Sequence, residues 1–194
     1  MIAPMGDGAV RVTLREGADL AAILDALRAL DGVTDVALTD AFALVRFDGA
    51  EVPRGVEAAI EGAARRAHAP REHEVEVCYD GEDLDEVASR AGLPREAVIA
   101  RHAGRAYEVI HLGFLPGFAY LGALDPSLVL PRRATPRARV AAGSVAIAGD
   151  RTCVYPVASP GGWHILGRVR AFAPFSVEEG ARWSIGDRVR FVAR

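Results

Sequence analysis

Three stretches in the second half of the chain carry residue types that can do chemistry. The first runs Pro131-Arg132-Arg133-Ala134-Thr135-Pro136-Arg137-Ala138-Arg139 and sets arginines on proline-stiffened backbone. A planar guanidinium matches carboxylate or phosphate with paired hydrogen bonds, and stiff backbone loses less entropy when it clamps an anion. Arg132 and Arg137 are the candidates for that role; a solvated basic surface is the plainer alternative. The following Ala141-Ala142-Gly143-Ser144-Val145-Ala146-Ile147-Ala148-Gly149 is built of small residues that let a ligand or another backbone approach, with Gly143 and Ser144 as candidate contacts. Ser144 is not in a G-x-S-x-G elbow, so a serine-hydrolase reading gains no support, and Gly143 and Gly149 lack the dinucleotide-binding spacing.

The second stretch holds Thr152-Cys153-Val154-Tyr155-Pro156 and then Ser159-Pro160-Gly161-Gly162-Trp163-His164. Thr152 and Ser159 offer hydroxyls, Gly161 and Gly162 offer accessible backbone donors, Trp163 offers a stacking surface and His164 a titratable ring. In the third stretch, His111-Leu112-Gly113-Phe114-Leu115-Pro116-Gly117-Phe118-Ala119-Tyr120-Leu121-Gly122, aromatics alternate with Gly and Pro. Such a loop walls a ligand pocket or turns a barrel corner. His111 and His164 are the candidates for proton transfer, although a lone histidine also serves structure, and sequence does not place the two together.

Composition narrows the chemistry. The 194 residues contain no lysine, asparagine or glutamine, so every cationic side chain is arginine. A Walker-type phosphate loop and Schiff-base chemistry both need lysine and are excluded. Residues 1–104 carry 20 acids against 11 arginines, a balance of −9, while residues 105–194 carry 6 acids against 12 arginines, a balance of +6. The second half is therefore the one expected to bind anything negative, unless the acids merely solvate the helices of the first. Cys78 and Cys153 match no metal or redox spacing and are expected to be buried free thiols. No apolar run reaches the length of a membrane span and no signal peptide is evident, so a cytoplasmic location without membrane contact is expected.

These residues need elements to hold them. Val10, Val12 and Leu14 alternate as a strand, and Leu20, Ile23, Leu24, Leu27 and Leu30 line one face of a helix. Strands follow around Val33–Leu38 and Phe42–Phe47, then a helix lined by Val56, Ala59, Ile60, Ala63, Ala64 and Ala67, then a strand at Val75 and Val77. The order strand–helix–strand–strand–helix–strand predicts a ferredoxin-like α/β domain over residues 1–80. Residues 81–104 predict two short helices joined at Gly92-Leu93-Pro94, a connector between domains. The second helix has no Asn or Gln for adenine and little net charge, so packing fits it better than DNA reading, and no nucleic-acid partner is expected. Beyond residue 105, short strands punctuated by Gly and Pro predict a β-barrel or sandwich to residue 194, an α+β protein in all.

Taken together, Gly113-Phe114-x-Pro116-Gly117-Phe118-x-Tyr120-Leu121-Gly122, Pro131-Arg132-x-x-x-Pro136-Arg137, Ala142 to Gly149 and Ser159-Pro160-Gly161-Gly162-Trp163 match a family in order and spacing. They resemble the family of 5-oxoprolinase B subunits, also known as allophanate hydrolase subunit 1, which includes an inhibitor of a sporulation histidine kinase. Tyr79-Asp80-Gly81-Glu82-Asp83-Leu84 and Gly186-Asp187-Arg188-Val189-Arg190-Phe191 extend the likeness over roughly residues 75–192. The resemblance implies a cyclophilin-like barrel over residues 105–194 and work within a heteromeric complex. The B and C subunits of 5-oxoprolinase would activate 5-oxoproline with ATP and its Mg²⁺, and the A subunit would open the ring to glutamate. This chain alone would be inactive. Two other roles follow from the same family: a module that binds and inhibits a histidine kinase, and the carboxyltransferase half of a urea- or amide-carboxylating system. The family has Gln-Thr-Gly-Ile-Tyr where this chain has Arg151-Thr152-Cys153-Val154-Tyr155, and Pro at Ala119 and Ala141.

Overall fold

A computed structural model describes residues 2–49, 51–63 and 70–194. It divides into two compact units at Pro70 and Arg71. The first unit holds β1 (Ile2–Pro4), β2 (Ala9–Thr13), α1 (Leu20–Arg28), β3 (Val33–Leu38), β4 (Phe42–Phe47) and α2 (Val56–Ala63). Its sheet has the order β1-β2-β4-β3, antiparallel throughout. The period-2 pattern buries Val10, Val12, Val36, Val45 and Phe47, and α1 adds Ala22, Ile23 and Leu27. Asp19 caps α1 by accepting the amide of Ala22 at 2.9 Å, as an acid before an apolar helical face should. Ala64 and Ala67, expected on α2, lie outside the described residues.

The second unit holds β5 (Glu72–Cys78), α3 (Leu84–Ala91), α4 (Arg95–Ala103), β6 (Ala106–Leu112), β7 (Ala119–Gly122), a single 3₁₀ turn (Pro126–Leu128), β8 (Arg137–Val140), β9 (Ser144–Ala148), β10 (Arg151–Val154), β11 (Ser159–Gly161), β12 (His164–Val169), β13 (Phe175–Ser176), β14 (Gly180–Ala181) and β15 (Arg188–Ala193). Seven of these strands close a barrel in the order β10-β7-β6-β15-β5-β12-β9. β8 and β11 pair separately, and so do β13 and β14.

Two expectations change here. The strand containing Val75 and Val77 does not close the N-terminal sheet. It is β5 of the barrel, parallel to β15 from Glu72 opposite Arg188 to Val77 opposite Ala193, and antiparallel to β12. The edge it was expected to fill is taken by β1, so the first domain ends near residue 70 instead of 80. Alternation identified a half-buried strand but says nothing about which sheet receives it, because its partner lies more than a hundred residues away. The helices of 81–104 likewise belong to the second unit. Leu84, Val87, Val98 and the barrel residues Val75, Val77, Val109, Leu121, Ile147 and Phe191 form one buried cluster. Gly92 ends α3 in the left-handed conformation, at φ +65°, where a side chain would be strained. Cys153 is buried and Cys78 half-buried, both as free thiols. Among the described residues, no helix is long and apolar enough to cross a membrane.

Candidate active site

The basic stretch is divided by a single acid. Asp83, 3% exposed, occupies the N-cap position of α3 yet caps nothing. Its Oδ1 accepts from Arg133 Nη1 at 2.8 Å and from Arg137 Nη2 at 2.7 Å, and its Oδ2 accepts the amide of Ile165 at 2.7 Å. Burial pushes this carboxyl upward, but the bonds from Arg137 and the Ile165 amide, with the charges of Arg137 and Arg133, outweigh it and hold the group below the usual carboxylate range. Arg137 Nε also meets Glu82 at 3.0 Å, and Arg133 meets Glu86 at 3.1 Å. Arg137 is thus committed to the fold, whereas the expectation set it against a ligand. Arg132 is different. It is exposed, forms no hydrogen bond or ion pair among the described residues, and acts electrostatically on the phenols of Tyr120 and Tyr155.

Those phenols belong to an aromatic wall that the sequence only hinted at. Phe118, Tyr155, Trp163, Val140, Ala146 and Ile165 pack as one buried cluster, with Tyr120 against it. Phe118 meets Tyr120, Tyr155 and Trp163 edge to face at 5.0, 5.3 and 5.8 Å between centroids, the arrangement that ring quadrupoles favour. His111, half-buried on β6, stacks on Tyr120 at 4.2 Å and so joins the wall. Burial raises both tyrosine hydroxyls above their ordinary range, so both stay protonated donors at neutral pH. Gly161 lies directly against the Tyr155 hydroxyl, where any Cβ would collide. Gly162 accepts the amide of Arg133 at 2.8 Å. Ser159 is buried with its Oγ unpartnered among the described residues.

His164 is fully buried. Its Nε2 donates to the carbonyl of Pro131 at 3.0 Å, and its Nδ1 is buried without a partner among the described residues. Ser144 is buried at the start of β9. Gly143, at φ +79°, turns the chain there, its amide donating to Tyr155 and its carbonyl accepting from Val169. Thr152 lies in the barrel interior. Its hydroxyl donates to the Ala146 carbonyl at 3.1 Å and therefore accepts from His102 Nε2–H at 2.8 Å, while His102 Nδ1 accepts from the Tyr79 hydroxyl at 2.7 Å. Burial lowers His102 to about 3, which fits a neutral ring in this relay. Thr152 and Ser144 are built into the core, in contrast to the exposed Arg132. Arg151 lies over Gly122, whose missing Cβ leaves room for the guanidinium.

Of the expected residues, the structure sets Arg132, His111 and Gly161 at the aromatic wall, while Ser159 pairs with Val140 of the same cluster and Gly162 lies against Pro136. Sequence reasoning left out Tyr120, Tyr155, Asp83 and Arg133. Tyr120 stood within the aromatic loop and Tyr155 within Thr152-Cys153-Val154-Tyr155-Pro156, and an acid in Tyr79-Asp80-Gly81-Glu82-Asp83 was visible but reads as a helix cap.

A model of the carboxyltransferase domain, subdomains C and D, matches residues 1–179. The B subunit of 5-oxoprolinase from Bacillus subtilis (strain 168) is 44% identical over 124 residues, covering 61% of this chain and 51% of that one. The chain thus spans about half the length of this curated relative. The crystal structure of TTHA0988 superposes with a TM-score of 0.82 at 38% identity, covering 96% of this chain and 39% of that chain. The Kluyveromyces lactis urea amidolyase shares the fold at a TM-score of 0.73 and 16% identity, covering 100% of this chain and 15% of that chain.

Proposed function

The chain belongs to the carboxyltransferase domain family, subdomains C and D, and on that premise we propose that it serves as the B subunit of an ATP-dependent 5-oxoprolinase, working with the A and C subunits to convert 5-oxoproline to glutamate. The name carried by its curated relatives supports this reading. The observation that carries it to a site is Arg132, unpaired among the described residues and beside a wall of aromatic rings. 5-Oxoproline is a flat five-membered lactam bearing one carboxylate. Tyr120, half-buried on a backing of Phe118 and Trp163, offers the ring a face, and Arg132 offers the carboxylate a fork. The hydroxyls of Tyr120 and Tyr155 remain donors, so they can hold the lactam oxygen as its charge grows.

Amide resonance makes the lactam carbonyl a poor electrophile, and phosphorylation of its oxygen by ATP is what the resemblance supplies for that difficulty. This chain's own residues leave few free groups for a triphosphate. Arg133 and Arg137 are already paired with Asp83, and no group of three His, Cys, Asp or Glu side chains suited to a metal occurs among the described residues. We therefore assign this chain binding and orientation of the lactam, with the C subunit of 5-oxoprolinase as direct partner and holder of most triphosphate contacts. His111, stacked on Tyr120 at the same wall, is the group placed to move a proton.

The family also holds carboxyltransferases, and the fold shared with urea amidolyase keeps that second reading in view. One assay separates the two. The chain is combined with the A and C subunits, and glutamate release from 5-oxoproline is measured with and without ATP. Release that needs all three proteins and ATP is expected. Release by this chain alone, or none from the full set alongside carboxyl transfer from carboxybiotin, would overturn the proposal.

A further inference from the structure

We propose that residues 130–137 form an anchored strap, fixed on both sides of Arg132 by His164 and Asp83, whose task is to aim Arg132 at the carboxylate of the small ligand lying on the aromatic wall. The choice of a carboxylate rests on the 5-oxoprolinase reading; the strap does not.

The anchors are specific. The Leu130 carbonyl accepts the Gly149 amide at 2.7 Å, and the Pro131 carbonyl accepts His164 Nε2–H at 3.0 Å. The Arg133 amide donates to Gly162 at 2.8 Å, and its guanidinium reaches Asp83. Pro136 packs beside Gly162, and Arg137 closes the strap on Asp83. Between these points Arg132 has no anchor of its own and is exposed. A flexible arginine gives up much rotamer freedom on binding, so fixing the backbone on either side lowers that loss. The buried residues that do the fixing are costly to bury. A carboxylate with two arginines, and an imidazole with one nitrogen unpartnered, are not what a purely structural loop requires. His164 therefore acts as a positioning residue through its Nε2–H, which is spent on a carbonyl that can only accept.

This assignment separates two substitutions at one position. In His164→Gln the side-chain amide can replace the Nε2–H donor, while in His164→Leu it cannot. The reconstituted three-protein complex is assayed with both variants, with Arg132→Ala, and with the His164→Leu/Arg132→Ala pair, after thermal unfolding confirms that each folds. Expected are near wild-type kinetics for His164→Gln and a rise of about tenfold or more in KM for 5-oxoproline in His164→Leu, with kcat and the KM for ATP little changed. The pair should be no worse than Arg132→Ala alone, because both act through one contact. Loss of kcat in His164→Gln would mean proton transfer, and additive losses in the pair would mean that His164 does not act through Arg132; either overturns the proposal. If the wild-type complex turns over no 5-oxoproline, the functional reading fails, and the strap is judged on the isolated chain by ¹⁵N relaxation. Ordered amides at Arg132 to Thr135 and at Arg137 in wild type and His164→Gln, loosened in His164→Leu, are then expected, and equal order in all three would overturn it. Should His164→Leu not fold, Asp83→Asn replaces it in each comparison.

Discussion

Two of the polar networks buried in the second unit are built on opposite terms. The relay Tyr79–His102–Thr152–Ala146 is neutral, and each side-chain polar atom in it has a partner. The network around Asp83 is charged, and four atoms in it or beside it are buried without a partner among the described residues: Arg133 Nε, Arg137 Nη1, Ser159 Oγ and His164 Nδ1. A satisfied neutral network rigidifies a core and asks nothing further of its surroundings. A charged one with spare donors and acceptors keeps capacity next to the exposed Arg132 and the aromatic wall. The contrast sets groups already bonded within the barrel apart from groups with bonding capacity to spare, with Thr152 among the first and the exposed Arg132 beside the second.

Acid should break the neutral relay first. Above pH 6.5 His102 is uncharged in both folded and unfolded chain and contributes nothing to pH dependence. As pH falls below 6.5 the unfolded chain takes up a proton that the folded ring, depressed to about 3 by burial, refuses. Stability then falls by about 1.4 kcal/mol per pH unit, on the order of 5 kcal/mol by pH 3. Asp83 adds its own loss only from about pH 4 downward, where the unfolded carboxylate takes up a proton that the folded group, held lower, does not. Urea unfolding at pH 7, 6 and 5 should show the slope in the wild-type chain and its reduction in His102→Leu. An unchanged slope in the variant would remove His102 from the account.

Next in size is the charged hub. Asp83→Ala leaves Arg133 and Arg137 facing each other without their shared acid, and truncating one partner of such a buried set costs roughly 3–5 kcal/mol. Arg137→Ala should also destabilise, although less, because Arg133 still serves the carboxylate. Thermal unfolding ranks the two, and an Arg137→Ala protein as stable as wild type would return Arg137 to the list of ligand contacts.

The smallest effect expected is that of Thr152→Val. It preserves shape, removes the Ala146 bond and leaves His102 Nε2–H without an acceptor, a loss of about 1–3 kcal/mol. Turnover of the assembled complex, measured where the variant is folded, should stay within about twofold if Thr152 belongs to the core alone. A large fall in turnover with stability intact would place Thr152 at the ligand after all.

Much of this was legible in the chain, and the reason is range. Helices α1, α3 and α4 and strands β2 to β4 follow from the periodicity of neighbours, and Gly92 marked its turn because a left-handed residue is a local requirement. The barrel texture and the three chemical stretches were visible for the same reason. What short range could not supply was pairing across the chain. β5 reads as a strand from Val75 and Val77, but its partner β15 is over a hundred residues on. Asp83 reads as a helix cap, while its bonds reach Arg133, Arg137 and Ile165, 50, 54 and 82 residues away.

By itself, then, the sequence determined which residues could do chemistry here: arginine alone for anions, two histidines, a run of aromatics and a Ser-Pro-Gly-Gly turn. Tertiary structure decided which of them are at liberty to do it. Three arginines of one kind stand within six positions, and only the placement of a buried carboxylate makes two of them structural and leaves Arg132 exposed. Thr152 and Ser159 carry the same hydroxyl group, yet barrel closure gives one a histidine and a carbonyl and leaves the other without a partner among the described residues. Residue type sets what a group can bond. Burial and long-range pairing set what it has already bonded, and the remainder is what a ligand meets.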